Sequence, residues 1–220
     1  MKTLYQSAIV KRISLLIFLS LLTIAFISSN TAAKANSPAT GLAATVKNLK
    51  LGFGNYIIGS ILTSDQVVAA QSNLQEKAYE GTYKFKDNDT FVVAEKSSNM
   101  VLAVYQNQEN VDREQMKKII AILMTNFGEP TTMAHDKLVY WAYKKEGKIP
   151  EEMYNDSKKT GKLDVVATVK MNSTMEIFGD ISPEENADSQ EAAVTESVAG
   201  TVYTLISSQP LLESFLQQQE

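Results

Sequence analysis

One histidine, no cysteine and twenty-five carboxylates bound the chemistry open to this 220-residue chain. Thiol catalysis, disulfides and thiolate metal ligation are excluded. His135 is followed by Asp136, but a general base needs a nucleophile and an orienting group within reach, and no motif completes such a set. It reads as a loop imidazole between a proline-terminated helix and a strand. With one imidazole, a metal site would rely on oxygen donors, the set that calcium or magnesium takes. Asp87-Asn88-Asp89 and the acidic run of Asp180, Glu184, Glu185 and Asp188 are the oxygen-rich candidates. Neither has the spacing of a calcium loop, and Asp-Asn-Asp between two β-rich runs is turn chemistry. Gly52, Gly54 and Gly59 match neither a dinucleotide fingerprint nor a phosphate loop and read as turn glycines. No catalytic residue, metal or cofactor is expected. Paired carboxylates for hydrolysis are defined by spatial spacing, so a carboxylate-dependent envelope hydrolase stays as a remote alternative.

The residues that point to binding are Tyr140, Trp141 and Tyr143, in the run Tyr140-Trp141-Ala142-Tyr143. On a strand, alternation places Leu138, Tyr140 and Ala142 on one face and Val139, Trp141 and Tyr143 on the other. Both faces are apolar. If one packs on helices, the other presents aromatic side chains of the kind enriched at binding hot spots. The alternative is a central strand buried on both sides.

The N-terminus carries the zones of a secretory signal. Lys2, Lys11 and Arg12 precede residues 13–27, which are uncharged and mostly apolar, and Ala33-Lys34-Ala35 supplies a cleavage site before Asn36. The apolar run is shorter than a membrane span requires. Cleavage leaves 185 residues and removes four basic ones, which takes the formal charge from −4 to −8. A net acidic chain without a basic stripe argues against nucleic acid as a partner. A cysteine-free exported chain fits a bacterial periplasm, with no stable membrane span after cleavage.

Patterning along the remainder gives alternating helix and strand signals. Residues 36–62 read as a flexible leader and first turns. Thr63-Ser64-Asp65-Gln66 is a capping box opening a helix over 63–79, with Val67, Ala70, Gln71, Leu74 and Ala78 on one face. Strands follow at 82–86, 90–95 and 100–106. Met116, Ile119, Ile120, Leu123, Met124 and Phe127 mark a second helix over 111–127, with Asn110 as cap and Gly128-Glu129-Pro130 as stop. Strands are predicted at 138–143, 163–171 and 174–178, separated by a loop or weak helix at 146–161. An acidic linker covers 179–200, and a strand and helix close the chain over 201–220. Residues 63–106 and 107–178 thus form two candidate tandem α-β-β-β units. The fold class is α+β, with amphipathic helices packed on one face of a mostly antiparallel sheet.

The helix ending Leu-x-x-x-Phe-Gly-Glu-Pro (Leu123 to Pro130), the strand Tyr140-Trp141-Ala142-Tyr143, and the Gly59-Ser60-Ile61-Leu62-Thr63-Ser64-Asp65-Gln66-Val67 segment resemble small envelope lipoproteins of the outer-membrane-assembly type. The tandem helix-plus-sheet β-lactamase-inhibitor proteins share that architecture. The resemblance implies a non-catalytic module that binds another envelope protein. The lipid-attachment cysteine of the lipoproteins is missing, so their membrane tether is not carried over. The expected function is therefore periplasmic protein binding or envelope assembly through the sheet face or the aromatic strand. A carrier holding a small hydrophobic ligand between helix and sheet is the alternative.

Overall fold

The computed structural model describes residues 38–177 and 199–217. The signal peptide predicted over residues 1–35 and nearly all of the acidic linker lie outside them. The chain folds as α+β, with its strands joined antiparallel.

The predicted leader is in fact a helix from its third residue on, α1 (Pro38–Asn48). Proline suits the first helical position, and Leu42 and Val46 lie one turn apart, with Val46 fully buried. A hairpin of β1 (Gly52–Phe53) and β2 (Tyr56–Ile57) follows. Gly59, at φ +77°, then passes so close to α1 that a Cβ would sit 2.7 Å from the Ala43 carbonyl oxygen. Only glycine tolerates both that φ and that approach.

The predicted capping box opens α2 (Ser64–Ser72), with Gln66 N–H donating to Thr63 Oγ1 and Thr63 N–H donating to the Gln66 side chain. The helix stops well short of residue 79. Asn73 turns its side-chain amide onto the Ala69 carbonyl, and the chain leaves as the short strand β3 (Leu74–Gln75). Leu74 and Ala78 are therefore exposed. A three-stranded meander follows: β4 (Thr82–Asp87), β5 (Thr90–Glu95) and β6 (Val101–Val111).

Because β6 runs to Val111, Asp112 rather than Asn110 caps α3 (Arg113–Phe127), through a second capping box with Gln115. Met116, Ile119 and Leu123 are buried as their spacing predicts. Next come β7 (Thr132–Ala134), β8 (Leu138–Lys144) and β9 (Gly147–Lys148). The 146–161 segment contains a formed helix, α4 (Glu151–Thr160). Its start carries Glu151 and Glu152, its end carries Lys158 and Lys159, and Gly161 takes the left-handed position after it, an arrangement that suits the helix dipole and C-cap.

The second meander is β8, β10 (Ala167–Ser173) and β11 (Gly200–Ser207), followed by α5 (Gln209–Leu216). Residues 174–177 are not a strand. Asn172 and Ser173, which fall between the predicted strands 163–171 and 174–178, continue β10 and pair with Tyr203 and Val202 of β11. The third strand of the second unit is thus β11, beyond the predicted boundary at 178.

The large sheet has the order β3-β4-β5-β6-β11-β10-β8-β7, with β9 paired to β8. Each meander enters from a helix, and the two join through their last strands, β6 and β11. Cross-strand register puts Phe85, Val92, Val104, Ile206, Val169 and Trp141 in one row on one face. All six are fully buried. They belong to the same core cluster as Val46, Tyr56, Met116, Leu123, Leu211 and Phe215. Helices α1, α2, α3 and α5 and the small hairpin thus supply the core of this face, whereas α4 lies against the opposite one.

Candidate functional site

Strand β8 divides its aromatic residues between the two sides of the sheet. Trp141 is 0% exposed and Tyr143 is also buried. The Trp141 indole N–H donates to the Gly128 carbonyl at 2.8 Å, and its ring lies 6.1 Å from that of Phe127. Trp141 and Tyr143, binding candidates on condition that their face was the outer one, are therefore on the covered face instead. Both sides of β8 are apolar, so alternation separates the faces correctly without telling which one the helices cover. On the covered side, Gly128 at the end of α3 accepts the indole N–H. Of the three predicted residues, Tyr140 alone lies on the opposite face.

That opposite face carries a second row. Register aligns Lys86, Phe91, Tyr105, Leu205, Lys170, Tyr140 and Thr132, one from each of seven strands. None of the seven is buried, and Lys86 is exposed. Phe91 and Tyr105 stack with ring centroids 4.7 Å apart and planes 5° from parallel. Lys86 places its ammonium 5.1 Å from the Phe91 ring centre, and Lys170 lies 5.6 Å from that of Tyr140. Tyr203, on the next row, is 45% exposed. This is an open platform of stacked aromatic and aliphatic surface ended by ammonium groups. Such cation–π contacts hold the lysine stems flat on the rings.

At the β7 end of the platform, α4 stands off the sheet and leaves a cleft of about 660 Å³. Tyr140, Tyr154, Lys158 and Lys170 face it together with Asn155 and Asn172. Tyr154 and Lys158 are one turn apart on α4, which puts them on a common side, and the Tyr154 ring sits 5.8 Å from that of Tyr140. A smaller cleft of about 360 Å³ lies elsewhere, beside β2 and α2. It brings together Asp65 and Asp87, and the Tyr56 hydroxyl donates to Asp87 Oδ2 at 2.7 Å. That bond ties the β4–β5 turn to β2, so Asp87-Asn88-Asp89 has the structural part that its sequence predicts. His135 and Asp136 are exposed in the β7–β8 turn, both with positive φ. Among the described residues no group of three or more His, Asp or Glu is placed to hold a metal ion.

Five phenols are displaced toward their neutral form by burial, Tyr83 and Tyr105 less than the other three. Burial pushes Tyr140 up to about 12, with the neighbouring Tyr154 adding to it. Burial alone moves Tyr143 to about 12, and burial with the Asp87 hydrogen bond moves Tyr56 to about 12. Each folded value lies above the ordinary 10.0, so the unfolded chain loses these protons first. Their contribution to stability is complete below pH 10 and is lost as pH rises through about 12. A spectrophotometric titration should show a late class of phenolates appearing together with loss of folded structure. Ionisation of all nine tyrosines near pH 10, with the fold intact, would count against the buried assignments.

Phe91, Tyr105, Leu205, Lys170 and Tyr154 were not legible as a site in the sequence, since they come from five separate elements. The signal that unites them is register, which depends on β11 pairing with both β6 and β10. Comparison with known proteins finds no matching protein family, no similar curated protein and no similar solved structure.

Proposed function

We propose that this protein is a non-catalytic binding or assembly module of the bacterial envelope, and that it presents the open face of its sheet to another envelope protein. The observation that carries this is the row from Lys86 to Tyr140: Phe91, Tyr105 and Leu205 stay part-exposed on three neighbouring strands, and α4 approaches the row only at Tyr140. Rigid aromatic side chains give large contact area for little loss of conformational freedom. Residues on strands hold their spacing, so a partner meets a preorganised surface. The resemblance of the helix end at Leu123 to Pro130 and of the capping segment around Thr63 to small envelope modules supports the same class.

A photo-cross-linking amino acid at Tyr105 should couple to one defined partner in living cells, and the same group at Lys117 on α3 should not. Phe91→Ala and Tyr105→Ala should each weaken capture about tenfold or more, as loss of a hot-spot aromatic does, with melting temperature nearly unchanged. Equal coupling from Tyr105 and Lys117 would overturn the assignment of the face.

The location rests on the N-terminal pattern. The chain enters the envelope by cleavage after Ala35, so protein recovered from the periplasm should begin at Asn36. Recovery of the uncut chain with membranes alone would refute this.

A further inference from the structure

The cleft between α4 and the sheet differs in chemistry from the rest of a net acidic chain. Two ammonium groups, Lys158 from the helix and Lys170 from the central strand β10, face it from two sides. No carboxylate is among its lining residues. Neither lysine belongs to any of the ion pairs formed among the described residues, which join Lys117 to Glu114, Lys144 to Glu146 and Lys159 to Asp156. Lys170 is held over the Tyr140 ring, so its position is fixed by the sheet rather than by a counter-ion. The paired rings of Tyr140 and Tyr154 line the same cleft, and Leu138 and Met133 add apolar surface to it.

This combination selects a ligand with one negative charge next to an aromatic or aliphatic body. We propose that the cleft is the specificity pocket of the open sheet face and takes an acidic side chain, flanked by an apolar residue, from a segment of the partner protein. The proposal rests on the protein-binding reading of that face. Charge complementarity identifies the occupant: a carboxylate finds two ammonium groups that form no ion pair among the described residues, and the ring pair receives its neighbour. A phosphate dianion fits less well. Lys158 lies in the last turn of α4, where the negative end of the helix dipole offsets the ammonium charge. There is also no guanidinium fork among the cleft residues to grip phosphate oxygens in two places. The pocket is continuous with the platform, because Tyr140 and Lys170 belong to both.

The test uses the purified protein, isotope-labelled and followed by amide NMR, with acetyl-Asp-Phe-amide as probe. Acetyl-Asn-Phe-amide is the neutral control, and phenylacetate is the small-molecule control. The Asp peptide should shift the amides of Tyr140, Tyr154, Lys158 and Lys170, and its affinity should fall with added salt. Lys158→Gln and Lys170→Gln should each weaken it about two- to fivefold, the size of an exposed ion pair, with amide dispersion unchanged. The double variant should treat the Asp and Asn peptides alike. Equal binding of the two peptides to the unaltered protein would overturn the proposal. So would phenylacetate binding more tightly than the Asp peptide, since the cleft would then be a small-ligand site. Phe91→Ala lies outside the cleft and should weaken partner cross-linking from position 105 about tenfold or more while leaving the peptide titration intact. Partner cross-linking at Tyr105 with a silent titration defeats the pocket alone, whereas absence of that cross-link defeats the protein-binding reading.

Discussion

Replacing Trp141 by Ala should lower the free energy of unfolding by about 3–5 kcal/mol, as truncating a buried large aromatic does. The ring fills the end of the fully buried row that runs across β4, β5, β6, β11, β10 and β8. Its removal leaves a void against Phe127, and the end of α3 loses the bond from the indole to the Gly128 carbonyl. Trp141→Phe keeps most of the apolar contact and loses the donor, so about 1–2 kcal/mol is expected. Denaturant unfolding of the two variants measures both. The midpoint should move in that order while the slope stays constant, since the surface exposed on unfolding is unchanged. A Trp141→Ala protein of normal stability that no longer captures a partner would restore the indole to an outer face and invert the sheet.

The second large effect contrasts two adjacent residues. Ile206 is fully buried between Val104 and Val169, whereas Leu205 is half-buried on the open face between Tyr105 and Lys170. A carboxylate at position 206 would be buried without a partner, at a cost of several kcal/mol. That is comparable with the whole stability of a domain, about 5–15 kcal/mol. Ile206→Asp should therefore fail to fold or accumulate as aggregate. Leu205→Asp places its charge in solvent beside Lys170, so it should fold with a stability change of about 1 kcal/mol or less and lose partner binding. Circular dichroism with size-exclusion chromatography separates the outcomes. Two folded variants, or two unfolded ones, would show that the faces are assigned wrongly.

Local chemistry was the legible part of this fold. The capping box at Thr63, the stripe Met116-Ile119-Leu123 and the stop at Gly128-Glu129-Pro130 act within a few residues of themselves, so α2 begins at its predicted cap, while α3 begins two residues beyond the expected one, at Asp112 rather than Asn110. The extent of β6 and the identity of the third strand in the second meander depend on pairing across more than ninety residues, from Asn107 to Tyr203. No local pattern encodes that. Helix α1 was missed because Ala and Gly dilute its apolar face. The site was legible only as far as Tyr140. Trp141 and Tyr143 carry the same aromatic signature, yet their fate was settled by where α3 ends, a tertiary fact that composition does not contain.

The place of β11 also bears on how the molecule comes into being. The last strand of the described chain occupies the middle of the sheet, hydrogen-bonded on both sides. A polypeptide that crosses a membrane from its N-terminus would deliver β4–β6 and β8–β10 first, as two fragments each with one raw edge. Exposed strand edges are templates for wrong pairing with other chains, and long-range pairing is slow to form. Closure must wait for residues Gly200–Ser207 to emerge and slot between β6 and β10. Loss of β11 would therefore split the sheet at its centre, where loss of an edge strand would only trim it.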